Sequence, residues 1–173
     1  MAKEALAKHG SVSFGQSPEY YEPTELTFHK WQEQTNQHGK TYYIQGEKNS
    51  SGEWHGKVSK VFKDHGVVIG YLRNGEWNGP VTRIDYDGEK YVGNKKDNCF
   101  NGPGNLMYRN GNNYVGNFLS DNFNGAGTYY FANGDKFVGW WKDDDKDGLG
   151  VLCQADGTIK SQTWEKGVLK KES

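Results

Sequence analysis

Long apolar stretches are missing from this sequence, and no run approaches the ~20 residues that a transmembrane helix needs. Residues 1–10 also lack the apolar segment of a secretory signal. These two absences predict a chain that has no membrane-spanning helix and no secretory route. We therefore expect an intracellular, cytoplasmic location.

Net charge is equally scarce, because 21 lysines and arginines nearly balance 22 aspartates and glutamates, which leaves −1 at pH 7. A chain with so little net charge exerts no broad electrostatic attraction on nucleic acid or on acidic lipid. The balance predicts that nucleic acid is not a partner. It leaves membrane contact open but does not favour it.

Cysteine occurs only twice, as Cys99 and Cys153. If each repeat described below contributes two strands at a spacing of about 4.8 Å, the two backbones lie about 20 Å apart. That distance is too long for a disulfide. The pair predicts reduced thiols in a reducing compartment.

Glycine and aromatic residues are abundant, and they recur with a fixed step. The chain has 24 glycines in 173 residues, about twice the usual ~7%. Tyr91, Tyr114 and Phe137 each begin an aromatic-Val-Gly triplet, and the triplets are 23 positions apart. A constant period of this size indicates a repeat array. Residues 68–159 hold four consecutive units, and a fifth begins at Lys160.

Each unit has the local chemistry of a β-hairpin. Asx-Gly pairs recur once per unit, and such pairs favour type I′ turns, in which both central residues have positive φ. These pairs are Asp87-Gly88, Asn110-Gly111, Asn133-Gly134 and Asp156-Gly157. The flanking segments are rich in aromatic and β-branched residues, as strands are. Glycines inside the strands predict close approach of aromatic rings from the adjacent hairpin.

The combined pattern, Tyr-x-Gly-x-Phe/Trp, then Asn-Gly-x-Gly, then Asn/Asp-Gly, resembles the MORN (membrane occupation and recognition nexus) repeat. The resemblance covers residues 68–167, and a degenerate copy extends it upstream. It departs from the pattern at Lys160, at Val81 and at Gly66. The resemblance implies an all-β, elongated single-layer antiparallel sheet of stacked hairpins with a groove. It also implies a non-catalytic interaction module.

The domain boundaries follow from the repeats. We expect an irregular N-terminal extension over 1–41, a degenerate repeat over 42–67, four MORN-type repeats over 68–159, and a partial terminal repeat with a tail over 160–173. Residues 24–34 fit a short helix capped by Thr24 and fit a strand equally well. Residues 3–8 could form a short amphipathic start, which makes a mitochondrial address an alternative.

No residue set predicts catalysis, a metal or a cofactor. Residues 143–148 begin like a calcium loop, but Gln154 stands where a bidentate glutamate is required, so a solvated acidic turn is the better interpretation. The histidines show no metal-ligand spacing and are interpreted as surface residues. They are His9, His29, His38, His55 and His65. We expect the protein not to be an enzyme.

One feature exceeds what hairpins require, because an aromatic residue recurs just before the Asn/His-Gly step. The four members, called the aromatic ladder below, are Trp54, Trp77, Phe100 and Phe123. Lys146 occupies the same position in the next unit. The rings either pack between repeats or form an exposed strip that binds a partner protein. The second hypothesis makes them candidate partner-binding residues.

These observations predict a protein-interaction scaffold or adaptor, a subunit of a larger complex of protein partners. The resemblance implies a cytoskeletal or axonemal setting, for example in a cilium. A membrane-proximal lipid-binding module and an accessory subunit of a mitochondrial complex are the alternatives.

Overall fold

The computed structural model of the chain describes residues 27–173, and these residues form antiparallel strands and tight turns without a helix. The predicted all-β hairpin fold is confirmed. The described chain falls into two compact units, which meet in sequence between Asn98 and Cys99. Within the described range, no segment forms a helix of the length and apolar character required to cross a membrane.

In both units, each strand pairs with its neighbours in the chain, so the order in space follows the order in sequence. The first unit holds β1 (Thr27–Thr35), β2 (Thr41–Lys48), β3 (Trp54–Phe62), β4 (Gly66–Arg73), β5 (Glu76–Asp85) and β6 (Lys90–Lys96). The second holds β7 (Cys99–Met107), β8 (Asn113–Leu119), β9 (Asn122–Tyr130), β10 (Lys136–Lys142), β11 (Asp145–Cys153), β12 (Ile159–Glu165) and β13 (Val168–Glu172).

The N-terminal extension is more regular than predicted. Residues 27–35 form β1, which pairs with β2, so the strand is the correct alternative for the part of 24–34 that the structure describes. Trp31 of β1 packs with Tyr43 against a buried cluster of Val61, Val67 and Ile69. This burial explains why the segment adopts a strand. The possible address at residues 3–8 lies outside the described residues.

The predicted type I′ geometry is wrong at the Asx-Gly turns. At Asn110-Gly111 only the glycine has positive φ, 88°, and its amide donates to the carbonyl of Tyr108 at 3.1 Å. The Asn110 side chain accepts from the amide of Asn112 at 3.0 Å. This is a type I turn followed by a left-handed glycine. The Asn110 side chain stabilises the turn by accepting a hydrogen bond from the backbone two residues further along. Asn110 can make this bond because it is the second central residue of the type I turn.

Type I′ turns occur instead at the opposite ends of the hairpins. There both central residues have positive φ, as at Ser120 (49°) and Asp121 (71°) or at Asp143 (51°) and Asp144 (70°). These turns stack on preceding strands, since the amide of Asp144 donates to the carbonyl of Phe123 at 3.2 Å. The polar segments such as Ser120-Asp121 are therefore the tighter turns of the hairpins, and the Asx-Gly segments are the wider ones.

Strand glycines make room for rings. Each ring covers one glycine of its own strand and, as predicted, one glycine of the adjacent hairpin. Tyr114 lies over Gly116, two residues further along β8, and over Gly127 opposite it on β9. A Cβ built on Gly127 would lie 2.3 Å from the Tyr114 hydroxyl oxygen. Phe137 covers Gly139 and Gly150 in the same way. Each ring thus requires two facing glycines.

The first unit shows what happens when the ring is missing. Val68 stands where Tyr91 and Tyr114 stand in later repeats, and Val81 replaces the facing glycine. Val81 is buried, with 2% of its surface exposed. The smaller side chain at one position is accompanied by a larger one at the other, which keeps the core filled.

Candidate functional site

The aromatic ladder divides into two buried and two half-buried members. Phe123 is 7% exposed and stacks on Tyr114, with ring centroids 3.6 Å apart and planes at 11°. It also meets Phe118 and Trp141 edge to face, at 5.5 Å in both cases. Phe100 is also 7% exposed. Both phenylalanines belong to the core of the second unit, which leaves little of their surface for a partner.

Trp54 and Trp77 are half-buried against the cluster of Ile44, Val58 and Leu72. The Lys60 ammonium lies 5.5 Å from the centroid of Trp77, and burial lowers the pKa of that lysine. Packing within the first unit covers much of the surface of both indole rings. A partner-binding role for the ladder stays a prediction.

The ladder ends at Lys146, whose amine takes the place of a ring. Its ammonium nitrogen lies 4.3 Å from the centroid of Phe137, 4.4 Å from Trp164 and 5.6 Å from Phe131. Burial lowers the pKa of Lys146. We call the side of the second unit that carries Tyr114, Phe123, Phe137 and Trp141 the aromatic face. On this face a cation is held against rings.

The opposite face of the second unit exposes large apolar side chains. Adjacent residues on a strand point to opposite faces, so Trp141 is buried on the aromatic face while Trp140 is 57% exposed. Leu149 of β11 is 69% exposed. Val138 pairs with Val151 across β10 and β11. These four residues, Val138, Trp140, Leu149 and Val151, line a groove of about 820 Å³ on this face.

The rim of the groove is polar and carries little charge. Thr128 pairs with Val138, Thr163 with Leu149 and Ser161 with Val151, so three of the four apolar residues are flanked by a hydroxyl on the next strand, and Trp140 pairs with Ala126. Lys171 of β13 supplies a cation. An apolar floor with a polar rim is typical of a protein-binding surface. The sequence did not predict this surface, although the valine of each aromatic-Val-Gly triplet indicated the side of the sheet on which it lies.

The acidic turn at residues 143–147 serves a structural purpose. The Asp144 carboxylate accepts from the amide of Phe123 at 2.7 Å, and the Asp145 carboxylate lies beside Gly167. No cluster of three or more His, Cys, Asp or Glu side chains suited to a metal occurs among residues 27–173.

We expect no calcium binding at this turn. The Asp144 carboxylate is engaged with the amide of Phe123 and the Asp145 carboxylate lies beside Gly167, whereas a calcium loop must direct several oxygens at one point. Isothermal titration with micromolar calcium should give no saturable heat. A stoichiometric heat that disappears in Asp145→Ala would contradict the prediction.

His55 corrects the interpretation of the histidines as surface residues. It is 7% exposed, and its Nδ1 accepts from the backbone amide of Asn74 at 3.4 Å. Asn78 occupies the same position in the next repeat, and its side-chain oxygen accepts from the amide of Asp97 at 3.2 Å. His55 therefore holds a turn in place, as the asparagine of a regular repeat does.

No protein-family model matches this chain, and a search of curated proteins finds no match either. Among solved structures, the chain is similar to the TCP domain of SAS-4 (dCPAP) from Drosophila melanogaster, solved in complex with a proline-rich motif of Ana2 (dSTIL). The TM-score is 0.43 with 13% identity over 78% of this chain and 90% of that one. This likeness is too low to assign a family, so the function has to be inferred from the chain's own residues.

Proposed function

We propose that this chain is a non-catalytic, MORN-type scaffold that binds a protein partner in the groove around Trp140. The observation that carries the proposal is the exposure of Trp140 and Leu149 side by side. Large apolar side chains grouped on a surface mark interaction sites. Tryptophan is also the side chain most enriched at the energetic centre of interfaces.

The groove offers more than a single exposed residue. Trp140 and Val138 lie on one strand, and Leu149 and Val151 lie on the next, so four apolar side chains form one continuous floor. The strands beneath are paired on both sides, which fixes the backbone of the floor before binding. A rigid apolar floor lowers the entropic cost of association.

The setting is proposed from the repeat resemblance. A scaffold of this type would serve as a subunit of a larger assembly in the cytoskeleton or the ciliary axoneme. The near-neutral charge argues against a membrane-surface module, because such modules use clusters of lysine and arginine. Liposome co-sedimentation of the full chain tests that alternative directly.

The test is quantitative affinity capture with three variants of the full chain. Trp140→Ser and Leu149→Ser change the floor of the groove. Ile159→Ser changes a residue of β12 that is 70% exposed and is not among those lining the groove, and it is the matched control. We expect the same partner to be depleted at least about tenfold in both groove variants, as removal of a central contact does.

The control should retain the partner at the level of the unchanged chain. Circular dichroism of all three variants checks that the fold is kept. Equal capture by the groove variants and Ile159→Ser would contradict the groove. Sedimentation with neutral or acidic liposomes, lost in Trp140→Ser, would favour the membrane alternative.

A further inference from the structure

A second pocket lies on the aromatic face of the second unit, separate from the groove around Trp140. It has a volume of about 420 Å³ and combines rings with carboxylates. Tyr108, Tyr129 and Phe131 are half-buried, so each presents part of its ring to the pocket. Asp121 and Asp144 contribute exposed carboxylates.

The rings form a tilted wall. Tyr129 is central to it, with centroid distances of 4.9 Å to Phe131 and 6.3 Å to Tyr108, and with planes inclined at 56° and 38°. Trp141 extends the wall at 6.0 Å from Tyr129. Rings at several inclinations surround a small volume, and the negative faces of such rings attract cations.

The two carboxylates are held in fixed positions by the turns. Asp121 accepts from the amide of Phe100 and Asp144 from the amide of Phe123, both at 2.7 Å. Each bond uses one oxygen and orients the carboxylate. Burial, and after it the negative charge of Asp144, raise the pKa of Tyr114 on the same face to about 12.

Lys146 shows that this face accepts an ammonium group. Its nitrogen lies over the rings of Phe137 and Trp164, at the boundary of the pocket. The pocket beside Lys146 is also walled by aromatic rings, and it contains two carboxylates but only this one amine. The local charge therefore favours a further cation over an anion.

We propose that this pocket binds a basic side chain, lysine or arginine, presented by a partner protein. The cation would lie against the ring of Tyr129 and between the carboxylates of Asp121 and Asp144. A guanidinium suits such a site because it stacks on rings and donates to carboxylates at the same time. The site is independent of the groove around Trp140, and either can be tested without the other.

The test is an NMR titration of the full chain with two short peptides, acetyl-Gly-Arg-Gly-amide and acetyl-Gly-citrulline-Gly-amide. Citrulline has the same length and shape as arginine but carries no charge. We expect the arginine peptide to shift the Trp141 indole signal and the Phe123 amide saturably, with an affinity at least about fivefold above that of the citrulline peptide. Equal affinities would overturn the proposal without any mutation.

The variant for the second arm is Asp121→Asn with Asp144→Asn. Asparagine keeps the bond to the backbone, since Asn98 accepts from the amide of Trp77 at 2.8 Å in the equivalent position. We expect the arginine peptide to bind this double variant no better than the citrulline peptide does. Asp143→Asn removes an adjacent charge that is not among those lining the pocket and should leave binding unchanged. An equal loss in Asp143→Asn would overturn the site.

Discussion

Phe123→Ala is expected to lower the free energy of unfolding by about 3–5 kcal/mol, because the ring fills the core of the second unit. It stacks on Tyr114 at 3.6 Å and meets two further rings edge to face. The single-layer sheet has no second layer to collapse into the space that the ring leaves. Urea unfolding followed by circular dichroism measures the loss.

Trp140→Ala is the matched control for this prediction. It removes a larger aromatic side chain from the same unit, but that side chain is 57% exposed. We expect its effect on unfolding to stay below about 1 kcal/mol, as for surface positions in general. If Phe123→Ala instead left stability unchanged and abolished partner capture, the ladder would be a binding strip, as the second sequence-based hypothesis states.

Gly150→Ala is expected to destabilise the chain by about 3 kcal/mol, at the upper end of the range for overpacking a core. The added Cβ would lie 2.2 Å from Cζ of Phe137. That ring is fully buried and is held edge to face by Trp141 at 5.6 Å and Trp164 at 6.1 Å. The ring cannot turn away, so β10 and β11 must separate locally. Thermal and urea unfolding both report the effect.

Gly157→Ala separates steric overlap from backbone strain. Gly157 has a φ of +90° and nothing within 4 Å of its Cβ position, so the substitution costs only strain, about 1 kcal/mol. Phe137→Leu combined with Gly150→Ala provides a second check, because a smaller side chain relieves the overlap. The double variant should lose less than the sum of the two single losses. Additive losses would show that the overlap is not the cause.

The sequence alone determined the repeat and its hairpins. The 23-residue step of Tyr114 and Phe137 and the polar turns specify strand, turn and strand by local chemistry, which does not depend on distant residues. The turn type could not be derived this way. Both turn geometries admit an Asx-Gly pair, and the bond from Asn110 to the amide of Asn112 decides between them.

Tertiary structure alone decided which face of each strand is covered. Alternation and the repeat register place Trp141 on the face of Phe137 and Trp140 on the opposite face with Val138. Both faces carry large apolar side chains, however, and the pattern does not indicate which of the two the sheet buries. The rings stacked around Phe123 bury Trp141 on the aromatic face and leave Trp140 as the floor of a groove. The pocket of Tyr129 with Asp121 and Asp144 was beyond reach for the same reason. Its members come from separate hairpins, and only strand pairing with turn stacking brings them together.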